Sequence, residues 1–114
     1  MLNFIFKDND NIVYIGNHNY EKKDNLIEFT YNDEIIIIEI NKNEIMFQKK
    51  GKNTDFIIQG DGINNIARIK LIDKNAVFDL KVLKFNFEIM DRYIKIEYSL
   101  ESDEGSLKTV EFRY

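Results

Sequence analysis

Leu26-Ile27-Glu28-Phe29-Thr30-Tyr31-Asn32-Asp33-Glu34-Ile35-Ile36-Ile37-Ile38-Glu39-Ile40 is the stretch whose reading decides the fold. Asn32-Asp33 is a turn dipeptide, because both side chains hydrogen-bond their own backbone and both tolerate left-handed conformations. On either side the side chains alternate with period two, as a strand requires. A two-residue loop at Asn32-Asp33 sets Tyr31 opposite Glu34, Phe29 opposite Ile36 and Ile27 opposite Ile38. The apolar residues then share one face, and a slip of one residue would destroy that agreement. The segment reads as an antiparallel hairpin.

The same signals recur outward from it. There is no proline and there are five glycines, so Asn and Asp supply most of the turns: Asp8-Asn9-Asp10-Asn11, Lys23-Asp24-Asn25, Asn41-Lys42-Asn43, Asp73-Lys74-Asn75 and Asp91-Arg92, with glycine at Gly51-Lys52-Asn53, Gly60-Asp61-Gly62 and Ser102-Asp103-Glu104-Gly105. Turns spaced by about 8 to 12 residues between short apolar runs belong to a sandwich or barrel. At Asp91-Arg92 a two-residue loop pairs Ile89 with Ile94, Phe87 with Ile96 and Phe85 with Tyr98, while Glu88 meets Lys95 on the reverse face. At Asp73-Lys74 the pairing is Leu71 with Ala76, Ile69 with Phe78 and Ala67 with Leu80, with Arg68 facing Asp79. A five-residue loop from Glu101 to Gly105 pairs Ile96 with Val110, Ile94 with Phe112 and Lys95 with Glu111. The inward set changes phase between Phe78, Leu80 and Val82 and Phe85, Phe87 and Ile89, which predicts a bulge near Leu83-Lys84 where the sheet curls. The expected fold is all-β: one domain over residues 1–114, an antiparallel up-and-down meander of about eight to ten strands closing into a barrel, with a β-sandwich as the alternative.

Composition narrows the function classes. The 114 residues are 44% hydrophobic and 32% charged, a balance suited to one folded core. The net charge of −4 comes with Lys and Arg spread along the chain, which argues against nucleic acid or an anionic membrane surface as partner. Cysteine is absent, so disulfides, thiolate metal sites and cysteine nucleophiles are excluded. Met1 to Asp8 has no basic start followed by a cleavable apolar segment, and a cytoplasmic location is expected.

Chemical motifs are few. His18, the only histidine, reads as a surface loop residue within Asn17-His18-Asn19. Ser99, Ser102 and Ser106 have no nucleophile-elbow context. Asp8-Asn9-Asp10-Asn11-Ile12 begins like a calcium loop but lacks its glycine and distal glutamate. Gly60-Asp61-Gly62 has no βαβ context. Lys49-Lys50-Gly51-Lys52, flanked by Phe47 and Phe56, reads as a solvated hairpin tip in preference to an oligonucleotide-binding surface. No acid, base or nucleophile converges, so no enzyme, metal or cofactor is expected. Tyr31 and Tyr98 project inward, and their hydroxyls need partners, so they are the candidate ligand-binding residues. Ile35 and Ile37 form an outward apolar stripe, the candidate interface with a partner or a second copy in a homodimer.

Phe78-Asp79-Leu80-Lys81-Val82, Ile94-Lys95-Ile96-Glu97-Tyr98-Ser99-Leu100 and Val110-Glu111-Phe112-Arg113-Tyr114 resemble the YwiB-like family, and Leu26 to Tyr31, Asn32-Asp33 and Lys50-Gly51 fit its earlier half. Asn75 and Lys84 stand where glycine and threonine would be expected. The resemblance implies a small bacterial protein with a calycin-like (lipocalin-like) β-barrel, and it supplies neither an activity nor site residues. Two functions follow as expectations: a barrel that binds a small apolar or amphipathic ligand, or a protein-protein interaction module.

Overall fold

A computed structural model describes all 114 residues, Met1 to Tyr114. The chain is an antiparallel meander of strands β1 (Leu2–Asp8), β2 (Asn11–His18), β3 (Tyr20–Lys23), β4 (Leu26–Tyr31), β5 (Glu34–Asn41), β6 (Glu44–Lys50), β7 (Thr54–Gly60), β8 (Asn65–Leu71), β9 (Ala76–Leu80), β10 (Val82–Met90), β11 (Tyr93–Leu100) and β12 (Lys108–Arg113). One short 3-10 turn, Glu101–Asp103, is the only helical segment. No helix is long and apolar enough to cross a membrane.

The turns form where Asn and Asp were expected to make them. Asn9 and Asp10 both have positive φ, as do Asn32 and Asp33, the requirement for a tight hairpin whose twist matches its strands. All four expected registers hold: Phe29 with Ile36 and Ile27 with Ile38, Phe87 with Ile96 and Phe85 with Tyr98, Ile69 with Phe78 and Ala67 with Leu80, and Ile96 with Val110 and Ile94 with Phe112. The pairing is disrupted between Val82 and Lys84, where the bend was expected. A second bulge, absent from the sequence reading, lies between Phe6 and Lys7 and leaves Val13 unpaired on β2.

The strands form two sheets, in the orders β10-β11-β12-β1-β2 and β3-β4-β5-β6-β7-β8-β9. The arrangement is sandwich-like, and the hydrogen-bonded ladders do not run on from one sheet into the other. There are twelve strands and not eight to ten, because two long strands are each interrupted once, at Asn19 and at Lys81. β2–β3 and β9–β10 therefore pass from one sheet to the other, each forming an edge of both. The ends of the meander meet, since β1 pairs with β12 from Asn3 opposite Arg113 to Asp8 opposite Lys108.

The core is one cluster drawn from both sheets. From one come Leu2, Phe4, Phe85, Ile94, Ile96, Tyr98, Leu100, Val110 and Phe112, and from the other Ile27, Phe29, Ile36, Ile38, Ile45, Phe47, Phe56, Ile58 and Ala67. Aromatic rings make the contact across the gap: Phe112, stacked at 5.3 Å on Phe4 of its own sheet, is approached by Phe29 and Phe47 from the facing sheet at 6.0 and 6.1 Å. Two residues of the expected inward set, Phe78 and Ile89, are exposed. Both lie on strands at a sheet edge, β9 and β10.

Removing a fully buried ring leaves a cavity that the facing sheet cannot close. Phe112→Ala is expected to cost about 3 to 5 kcal/mol, whereas Ile66→Ala, on an exposed position, should stay within about 0.5 kcal/mol. Urea denaturation of both variants checks this, and equal losses would contradict the assigned core.

Candidate functional site

The inward rows keep their alternation along each strand but change character towards one end of the sandwich. On β1 the row is Leu2, Phe4, Phe6, Asp8; on β6 it is Ile45, Phe47, Lys49; on β12, read backwards, Phe112, Val110, Lys108. On β5, Ile38 and Ile36 are followed by Glu34, whereas on β11 the row Ile94, Ile96, Tyr98 ends in the buried Leu100. The registers bring these row ends together: Lys49 lies opposite Ile36, Tyr98 opposite Lys108 and Asp8 opposite Lys108. The leading members of each row are fully buried, while Phe6, Asp8, Glu34, Lys49 and Lys108 are only half-buried. On β1, β5, β6 and β12 the apolar row stops short of this end.

Two adjoining cavities occupy the space. The larger, about 480 Å³, has an apolar wall of Phe56, Ile69, Leu80 and Leu100 and a polar rim that includes Ser102, Asp103 and Lys108. The smaller, about 260 Å³, is walled mainly by Phe4, Ile36, Phe47, Val110, Val13 and Tyr31. Phe6, Glu34, Lys49 and Tyr98 line both. The larger lies within the range of small-molecule sites and the smaller just below it.

Both sequence-chosen tyrosines are at this site. Tyr98 is 3% exposed, packs on Phe56 and Phe47 at 5.9 and 6.2 Å, and has its phenol pushed well above the usual value by burial, then by the charges of Asp103 and Asp8. Tyr31 is half-buried and packs on Tyr14 at 4.3 Å and Phe4 at 5.3 Å. The sequence reading missed Phe6, Glu34 and Lys49. Lys49 in particular is no part of a solvated tip: it continues the inward parity of Ile45 and Phe47, a signal present in the alternation itself, while Lys50 and Lys52 do face solvent.

Ile35 and Ile37 do point outward. Ile35 is exposed and lies between Thr30 and Lys50, and Ile37 is half-buried between Glu28 and Gln48. His18 differs from its expected place in a surface loop. It ends β2, is half-buried, and joins Tyr14 through a 2.8 Å hydrogen bond between Tyr14 Oη and His18 Nε2. Gly16 makes that possible, because a Cβ there would collide with the Tyr14 ring and hydroxyl. The cleft beside His18, about 540 Å³, is lined mostly by polar residues, among them Asn19, Glu21, Glu28 and Thr30. No group of His, Cys, Asp or Glu side chains is placed to hold a metal ion.

At the rim, Lys108 Nζ donates to Asp8 Oδ2 at 2.9 Å and to Ser106 Oγ at 3.1 Å, and Ser106 Oγ donates to Asp8 Oδ1. The ammonium of Lys108 and the hydroxyl of Ser106 hold the Asp8 carboxyl below its usual value. Fold and site together define a small all-β meander with a mixed apolar and charged cavity at one end. Comparison with family models, curated proteins and solved structures returned no match.

The Asp8 carboxylate binds its proton less readily in the folded chain than in the unfolded one, so its contribution to stability is present above the usual aspartate value of 3.8 and is lost as pH falls through the lower folded value. The stability difference between the parent protein and Asp8→Asn should therefore be open at neutral pH and close in acid below that value. Urea midpoints measured across this range test it; a difference that does not change with pH would refute the assignment.

Proposed function

We propose that this protein is a ligand-binding module: a flattened, calycin-like barrel whose open end takes up a small apolar or amphipathic molecule. The observation that carries the reading is the pair of adjoining cavities, sharing Phe6, Glu34, Lys49 and Tyr98, at the end where the inward rows of β1, β5, β6 and β12 change from apolar to charged. A core meant only to be filled would continue those rows with Ile, Leu or Phe, as it does at the opposite end. Barrel character is supported by the two bent strands that serve both sheets and by the pairing of β1 with β12. Membership of the YwiB-like family belongs to the same proposal, resting on the stretches that resemble it.

The neutral fluorescent probe N-phenylnaphthylamine tests this directly. Saturable binding is expected, weakened about tenfold, equivalent to about 1.4 kcal/mol, by Val13→Trp or Thr54→Trp, since both positions line the cavities without being fully buried. Absence of saturable binding, together with a bare chain mass in native mass spectrometry after mild purification, would end the proposal.

A further inference from the structure

Two hydrogen-bond donors on the shared wall of the cavities have no acceptor. Lys49 takes part in none of the five ion pairs and in no side-chain hydrogen bond. Its recorded neighbour is the ring of Phe56, 5.5 Å from Nζ to the centroid. Tyr98 is almost wholly buried, yet its hydroxyl makes no hydrogen bond within the protein. No enclosed side-chain polar atom is left without a partner, so this hydroxyl reaches the cavity that its residue lines. A half-desolvated ammonium without a counter-charge is costly, and a hydroxyl open to the cavity is free to bond whatever occupies it.

The surrounding charges leave Lys49 as the available cation. Asp8 is already held by Lys108 and Ser106. Glu34 turns towards the chain at Gly51, where an added Cβ would lie 3.5 Å from Glu34 Oε2. Asp103 is exposed to solvent at the rim. Resting on the reading of the end cavity as a ligand site, we infer that its ligand is a monocarboxylate with an apolar body, its carboxylate accepting from Lys49 Nζ and Tyr98 Oη while the body lies along Phe4, Ile36, Phe47 and Val110. A carboxylate offers enough lone pairs for both donors, and charge-assisted bonds are the stronger kind. A doubly charged phosphate would meet added repulsion from Asp103 and Asp8, the carboxylates whose charges act on Tyr98.

Isothermal titration with decanoate, decanol and decyl phosphate separates the layers of this claim. Decanoate should bind at least about tenfold more tightly than either of the others. Lys49→Met keeps an apolar stem, and Tyr98→Phe keeps the ring. Each should remove most of the decanoate advantage while leaving decanol affinity within about twofold, which also shows that the variant is folded. Equal binding of decanoate and decanol would overturn the carboxylate while leaving the cavity as a ligand site; tighter binding of decyl phosphate would replace the head group by a phosphate. A decanoate preference that survives Lys49→Met would remove Lys49 from the site, and no binding of any of the three would overturn the cavity reading as well.

Discussion

The packing of Phe112 is the interaction on which the rest of the structure depends. Its ring is fully buried, stacks on Phe4 from the neighbouring strand of its own sheet, and meets Phe29 and Phe47 from the facing sheet. Without cysteines no disulfide ties the sheets together, so the distance between them is set by interleaved aromatic and Ile side chains. β12 also carries Val110 inward and pairs on one side with β1 and on the other with β11. The last strand thus joins the start of the chain to its end while its inward face holds the two sheets together.

Period-two alternation turns this packing into a constraint on the whole chain. Once Phe112 and Phe4 point inward, Val110, Lys108, Phe6 and Asp8 must do so too, whatever their chemistry. Charged side chains on an inward row therefore had two outcomes: distortion of the strand, or a space at the row's end. The registers remain regular to the end of β6 and β12, so the outcome is a space. The outer face takes charges without such a consequence: Glu111 sits between Lys7 Nζ at 3.2 Å and the Tyr93 hydroxyl at 2.6 Å. Burial, then the hydrogen bond to Glu111, pushes the Tyr93 phenol up to about 12.

Much of this was legible in the sequence. Turn chemistry and alternation fix the register locally, so the hairpins at Asn32-Asp33, Asp73-Lys74 and Asp91-Arg92, the longer one before β12, and the bend near Leu83 could all be read from neighbouring residues. The inward placing of Tyr31 and Tyr98 followed from the same registers. The division into two sheets was not legible, because Asn17-His18-Asn19 reads as a loop and Lys81 carries no turn signature, whereas at both points a strand passes from one sheet to the other. The exposure of Phe78 and Ile89 has the same origin. Parity says which way a side chain points but not how far the facing sheet extends.

Lys49 marks a different limit. Its parity was as readable as that of Phe47, but the adjacent Lys50 and Lys52 made composition suggest a solvated tip, and composition is blind to alternation. Of these lysines, Lys49 alone continues an inward row, ending beside Phe56 instead of in bulk water. A lysine in such a row is uneconomical for packing: its stem can fill apolar space, but its ammonium must reach water or a counter-charge. The cavities supply the first route, and Tyr98, with its hydroxyl directed into the same space, limits how apolar that route can be. Local propensity, alternation and packing agree through most of the chain and part company at this one end, where a sequence that satisfied every folding criterion would have placed another branched aliphatic side chain.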